Sequence, residues 1–156
     1  MNDIRRKFLK TAVGLGSIAT AIASGLLIPQ RAIAAYMESA FAATDASAAL
    51  IAAEGSDQHT PSDEVKIKAP DIAENGAVVP VTVSSTLPNV ESISIIAAKN
   101  PSPLAASFQL SGQSEAYVST RIKMGKTSNV IAVVKSGGKL YSATQEVKVT
   151  IGGCGG

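Results

Sequence analysis

Cys154 is the only cysteine among the 156 residues, and it sits in Gly152-Gly153-Cys154-Gly155-Gly156. Its thiolate is the nucleophilic form, and a free thiol ionises only near pH ~8.5. The tail supplies no Lys, Arg or His to favour ionisation, and a carboxylate on Gly156 opposes it. Such a sulfur is poorly placed to activate itself and better placed to be activated by another protein. The four glycines carry no side chains to bury and have the greatest backbone freedom. The composition therefore predicts a thin, mobile, exposed arm over 152–156. From Ile151, the last apolar anchor, three extended residues carry Cys154 out by ~10 Å. Glycines on both sides keep the arm narrow enough to enter a tight pocket.

Other chemistries find little support. A lone cysteine excludes an internal disulfide framework and any metal site with two thiolates. A single histidine, His59, excludes paired-histidine centres, and it reads as a solvated loop residue. A self-sufficient thiol enzyme needs a histidine beside its cysteine, and His59 lies in a distant linker. Asp63, Glu64, Asp71 and Glu74 read as solvated loop acids, because no cleft for acid–base work is visible. Cys154 fits neither a prenylation box nor an N-terminal lipid anchor. Gly152 to Gly156 open no helix, so they form no phosphate loop. No residue is expected to be catalytic and none to bind metal or a resident cofactor. The alternative use of Cys154 is structural: an exported domain joined to a partner by an intermolecular disulfide.

A second motif lies at the other end. Arg5-Arg6-Lys7-Phe8-Leu9-Lys10 resembles the twin-arginine export motif at Arg5, Arg6, Phe8, Leu9 and Lys10. It departs at Ile4, where Ser or Thr is usual. An apolar run from Thr11 to Ile28 follows, and Ala32-Ile33-Ala34 gives a small-x-small cleavage site. Gly14, Gly16 and Gly25 weaken the competing reading as a membrane anchor. Residues 1–34 are thus expected to be a cleaved signal peptide, with Ala35 first in a mature periplasmic protein that has no membrane attachment. The twin-arginine route carries folded cargo. With no cofactor ligands in the mature chain, a companion subunit exported alongside is the expected reason. The whole chain has 14 bases and 12 acids; the leader holds five and one, leaving nine and eleven and a charge of −2. Nucleic acid is not the partner of such a domain.

The elements that must position Cys154 are a helix and then strands. Residues 36–51 are Ala-rich, and Ala is the best helix former. Gly55 to Ser62 read as a polar linker, so 35–62 form a helix and linker. From Asp63 the chain changes to β-branched runs punctuated by Pro, Gly, Asn and Ser. Val65 and Ile67 alternate with lysines. Val78 to Val83 contain Pro80, which predicts an edge or bulged strand. Val90 to Ala98, residues 105–110 and Glu115 to Met124 follow. Asn129 to Lys135 read as a central strand buried on both faces, and Gly137-Gly138 as a hairpin turn into Leu140 to Ile151. About seven strands in 63–151 predict a mainly β, immunoglobulin-like antiparallel sandwich behind an N-terminal helix.

Taken together, the twin-arginine leader, Ala-rich helix, sandwich and Gly-Gly-Cys-Gly-Gly tail resemble the SoxY family, the cysteine-bearing subunit of the SoxYZ sulfur carrier. Ile72-Ala73-Glu74-Asn75-Gly76, Pro80-Val81-Thr82-Val83, Lys99-Asn100-Pro101, Val118-Ser119-Thr120-Arg121 and Glu146-Val147-Lys148-Val149-Thr150-Ile151 add to the resemblance, which spans most of 64–156. It implies that Cys154 holds thiosulfate-derived sulfur covalently, with no other cofactor. Gly152 and Gly153 would act as hinge, and Gly155 and Gly156 would keep the tip thin. It further implies a SoxZ-like subunit as stable heterodimer partner. A haem-containing thiosulfate-conjugating enzyme, a sulfate-releasing hydrolase and a sulfane dehydrogenase would be transient partners, and the carrier itself would catalyse none of their steps.

Overall fold

The alternation that begins after Asp63 is built as two packed sheets. A computed structural model describes residues 38–111 and 114–150. Among the described residues there are nine strands: β1 (His59–Pro61), β2 (Val65–Lys68), β3 (Ile72–Ala73), β4 (Val79–Ser85), β5 (Val90–Ala97), β6 (Leu104–Gln109), β7 (Tyr117–Ile122), β8 (Ser128–Ser136) and β9 (Lys139–Val149). The larger sheet runs β1-β9-β8-β5-β6, with β3 also paired to β9; the smaller runs β2-β4-β7. All pairs are antiparallel except β1 and β3, which run parallel to β9. The mainly β, immunoglobulin-like sandwich is therefore present, with two more strands than the sequence suggested.

Alternation decides what is buried. Val79, Val81 and Val83 of β4 face Ile93 and Ile95 of β5, Val130, Ala132 and Val134 of β8, and Val147 of β9 in one core. A helix, α1 (Ala46–Glu54), covers the outer face of the larger sheet. Its Ala49, Leu50 and Ala53 pack on Ile96, Leu104, Val133 and Leu140. The two central strands, β5 and β8, are thus buried on both sides, as the apolar run at 129–135 required.

The helix is displaced from the expected 36–51. A short helical turn covers 38–42, the chain breaks, and α1 starts at 46. Asp45 causes the restart. Its carboxylate accepts the N–H groups of Ser47 at 2.9 Å and Ala48 at 3.1 Å as an N-cap. Gly55, at φ +86°, closes the other end and donates its N–H to the carbonyl of Ile51. Just beyond, Asp57 accepts from the Ser47 hydroxyl and from Gln58, and these hydrogen bonds lower its pKa.

Two expectations need correction. The stretch read as a linker contains β1, whose His59 aligns with Leu140 of β9. Three residues show no period, and their partner lies eighty positions away. Pro80, expected on an edge or bulged strand, lies in β4, the middle strand of the smaller sheet. It is tolerated because β2 pairs only with Thr82 to Ser85. At Pro80 the ladder on that side has ended, so a missing N–H costs nothing there. The Gly137-Gly138 hairpin is as expected, with φ of +55° and +73°, the primed-turn region.

Glu54 is buried at the end of α1, only 6% exposed. The hydroxyls of Ser92 and Ser94 each donate to its carboxyl at 2.5 Å. Lys135 donates to its backbone carbonyl at 3.1 Å. This clasp ties the helix layer to β5 and β8. Glu54→Ala removes the acceptor of the buried Ser92 hydroxyl and leaves Ser94 only Ser107 at 3.1 Å, and a stability loss of about 1–3 kcal/mol is expected. Urea denaturation would measure it; an unshifted midpoint would show that the clasp contributes nothing.

Candidate functional site

The sulfur can go only where the root of its arm allows. Cys154, Gly152, Gly153, Gly155 and Gly156 lie outside the described residues, as do Arg5, Arg6, Phe8, Leu9 and Lys10 of the signal motif. The description stops at Thr150, four residues before Cys154. Four residues span at most ~14 Å. The site is therefore the end of β9 and whatever surrounds it.

That strand end is pinned on both sides. On one, Lys148 donates its N–H to Asp71 at 2.9 Å and Thr150 donates to Ala73 at 3.1 Å. On the other, the Thr127 hydroxyl accepts from the N–H of Val149 at 2.9 Å and donates to its carbonyl at 3.4 Å. Three loops close around it: 74–78, 98–103 and 123–127. Met124 donates its N–H to Gly76 at 2.7 Å. Asn100 joins the other two loops, since its Nδ2 donates to the Lys123 carbonyl at 2.6 Å and its Oδ1 accepts from Gly125 N–H at 3.0 Å. Asn75 folds its own loop by accepting the Ala77 N–H at 2.9 Å on its side chain.

Gly76 is the tightest point. A Cβ there would lie 2.4 Å from the Met124 carbonyl oxygen and 2.8 Å from Cγ1 of Val149. The 74–78 loop thus presses its backbone directly onto the root of the arm. The result is a collar at one end of the sandwich, held by side-chain and backbone hydrogen bonds rather than by packing alone. Its surface carries Glu74, Lys99, Lys123 and Lys126, all exposed. Val78 is 49% exposed beside them. A groove of about 540 Å³ runs between the Asn100–Ala105 and Lys123–Gly125 segments.

The collar holds no thiol, no histidine and no paired carboxylates. Among the described residues there is no group of three His, Cys, Asp or Glu that could hold a metal ion. The only histidine is far away. His59 Nδ1 is 2.9 Å from the Ser142 hydroxyl, near the opposite end of β9. Eight residues of strand between Ser142 and Thr150 span roughly 26 Å. The arm's ~14 Å cannot close that gap, so a cysteine–histidine pair cannot form within one chain. The loop acids Asp63, Glu64, Asp71 and Glu74 are exposed, as the sequence suggested. Asn100, Thr127 and Gly76 were not read as functional from the sequence. Their signal was present as turn chemistry, in Asn75-Gly76 and Asn100-Pro101, but their partners lie 22–73 positions away.

Comparison with known proteins follows the same segments. A family model described as "Sulfur oxidation protein SoxY" matches residues 51–154. Among solved structures, the sulfur carrier protein SoxY from Chlorobium limicola f thiosulfatophilum is similar at 50% identity and TM-score 0.60, covering 66% of this chain and 94% of its own. The reeler domain of human F-spondin aligns at 14% identity and TM-score 0.42, over 60% of this chain and 93% of that one. Comparison with curated proteins yields no match. The family match begins within α1, takes in all nine strands and the collar, and ends on Cys154 itself: the chain belongs to the SoxY family of sulfur-oxidation proteins.

Proposed function

We propose that this protein is a periplasmic sulfur carrier that holds thiosulfate-derived intermediates on Cys154 and presents them to partner enzymes. One observation carries the reading: the chain's only thiol lies five residues beyond a strand end locked in a collar that has no thiol or histidine of its own. A fixed root and a short glycine tether suit delivery. Membership of the SoxY family, and half-identity to a protein described as a sulfur carrier, support the same reading.

The steps belong to the partners. A haem-containing enzyme takes two electrons from the Cys154 thiol and thiosulfate together, a proton leaves, and an S–S bond joins them as a cysteine S-thiosulfonate. A hydrolase adds water at the terminal sulfonate and releases sulfate, which leaves a persulfide. A sulfane dehydrogenase oxidises that persulfide where it is present. The carrier is not an enzyme and needs no cofactor beyond the covalent adduct. A SoxZ-like subunit forms its stable heterodimer partner. The twin-arginine leader exports the folded chain, and the companion subunit crosses with it. Gly152 and Gly153 supply the hinge of the swinging arm, and Gly155 and Gly156 keep its tip narrow.

The test is intact-mass spectrometry of mature protein from cells given thiosulfate. Reductant-sensitive additions of one or more sulfurs, or of a thiosulfonate, mapping to Cys154 are expected. A bare thiol would defeat the carrier reading. A protein–protein disulfide alone would favour the structural use of Cys154.

A further inference from the structure

Charge in the described domain is sorted from one end to the other. Its nine bases and eleven acids give −2 overall. Yet the collar loops carry Lys99, Lys123 and Lys126 against Glu74, while exposed Asp71 and Lys148 beside the arm root offset each other. The opposite end of the sandwich, beyond the starts of β2, β5 and β7 and the β8–β9 hairpin, carries Asp63, Glu64, Glu91 and Glu115, with Lys139 as its exposed base. None of the three collar ammonium groups pairs with another described residue. Three unpaired cations on adjoining loops give that end a positive field.

Arm length makes this end a contact surface. For Cys154 to reach an atom inside an enzyme, the mouth of that enzyme's pocket must come within ~14 Å of Thr150. The collar then lies against the mouth. Its loop backbones are fixed by the Asn100 bridge and by Gly76, so the roots of its charged side chains are placed before the encounter. Exposed Val78 gives the surface one apolar contact. Exposed charges of this kind act mainly on encounter rate and orientation, which suits partners that must come and go. We infer that the lysine collar is the docking surface for the processing enzymes, and that the surface it meets is acidic around the mouth of a narrow pocket. This rests on the carrier reading above.

The test uses the mature chain in complex with its companion subunit. Lys99→Glu, Lys123→Glu and Lys126→Glu are combined, and thiosulfate loading by the haem-containing partner is followed against carrier concentration and ionic strength. For the wild type, kcat/KM falls as salt rises. The triple variant is expected to lose about tenfold or more in kcat/KM at low salt and to regain part of it as salt screens the new repulsion, with kcat little changed. Circular dichroism and stoichiometric alkylation of Cys154 confirm that the variant is folded and its thiol free. Equal kcat/KM and an equal salt slope would overturn the docking surface while leaving the carrier intact. Loss of the companion subunit from the variant would overturn it too, by assigning the collar to that interface. A wild type that takes up no sulfur would overturn the carrier reading, and the docking surface with it.

Discussion

Cys154→Ser is expected to abolish sulfur uptake from thiosulfate and to reduce pathway turnover to the background of the assay. A hydroxyl cannot form the S–S bond on which every intermediate depends, and no second cysteine exists to substitute. Nor can a collar lysine or hydroxyl rescue the reaction, since neither can form that S–S bond. Stability should not change. The two cores lie entirely between Ala40 and Val149, and the substitution lies beyond them. The thermal midpoint and the companion complex are therefore expected to match the wild type, while intact mass shows no adduct. A Ser variant that still turned over thiosulfate would remove Cys154 from the mechanism.

Gly76→Val carries the largest expected effect on stability. The clash of its Cβ is with backbone, the Met124 carbonyl at 2.4 Å, and with a strand residue, Val149, that is held by Thr127 on its far side. The Met124 carbonyl cannot rotate away, and the Val149 contact is with a β-branched side chain that is stiff about χ1. The 74–78 loop must lift, which breaks the 2.7 Å bond from Met124 N–H to Gly76 and loosens the root of the arm. Overpacking of this kind costs about 3 kcal/mol, and a domain of this size then melts roughly 10 °C lower. Calorimetry measures the shift. Gly76→Ala should show most of the same loss, because the first carbon already makes the clash. An Ala variant that melts with the wild type would show that the loop moves freely.

How much of this could be read in the residues depends on how far apart the partners are. Val118 and Ile122 are buried where the alternation of β7 places them, and Met124 two residues on continues it. Asn129 to Lys135 declared a central strand because both of its faces are apolar, and the Gly137-Gly138 turn is local. Ser92 and Ser94 alternate with Ile93 and Ile95 along β5, yet the helix layer covers their face too and they are buried as donors to Glu54. That pairing joins residues about forty apart, and no period reveals it. β1 and β3 escaped notice because two or three residues hold no pattern, and their place is set by β9. Cys154 stood out for the opposite reason. Its meaning is local, carried by the glycines around it, whereas the collar that frames its root is assembled from three distant loops.

The parallel pairing of β1 and β3 with β9 also sets when the domain can exist. His59 waits for Leu140, and Ile72 waits for Lys148. Until β9 has been synthesised, β8 has one bare edge and the two short strands have no partner at all. Bare edges invite pairing with other chains, and topologies dominated by such distant contacts fold in milliseconds to seconds. Folding is thus completed only after nearly the whole chain has been made, and a half-made chain is sticky. The twin-arginine reading of residues 1–34 is compatible with that delay, since the route takes cargo that has finished folding.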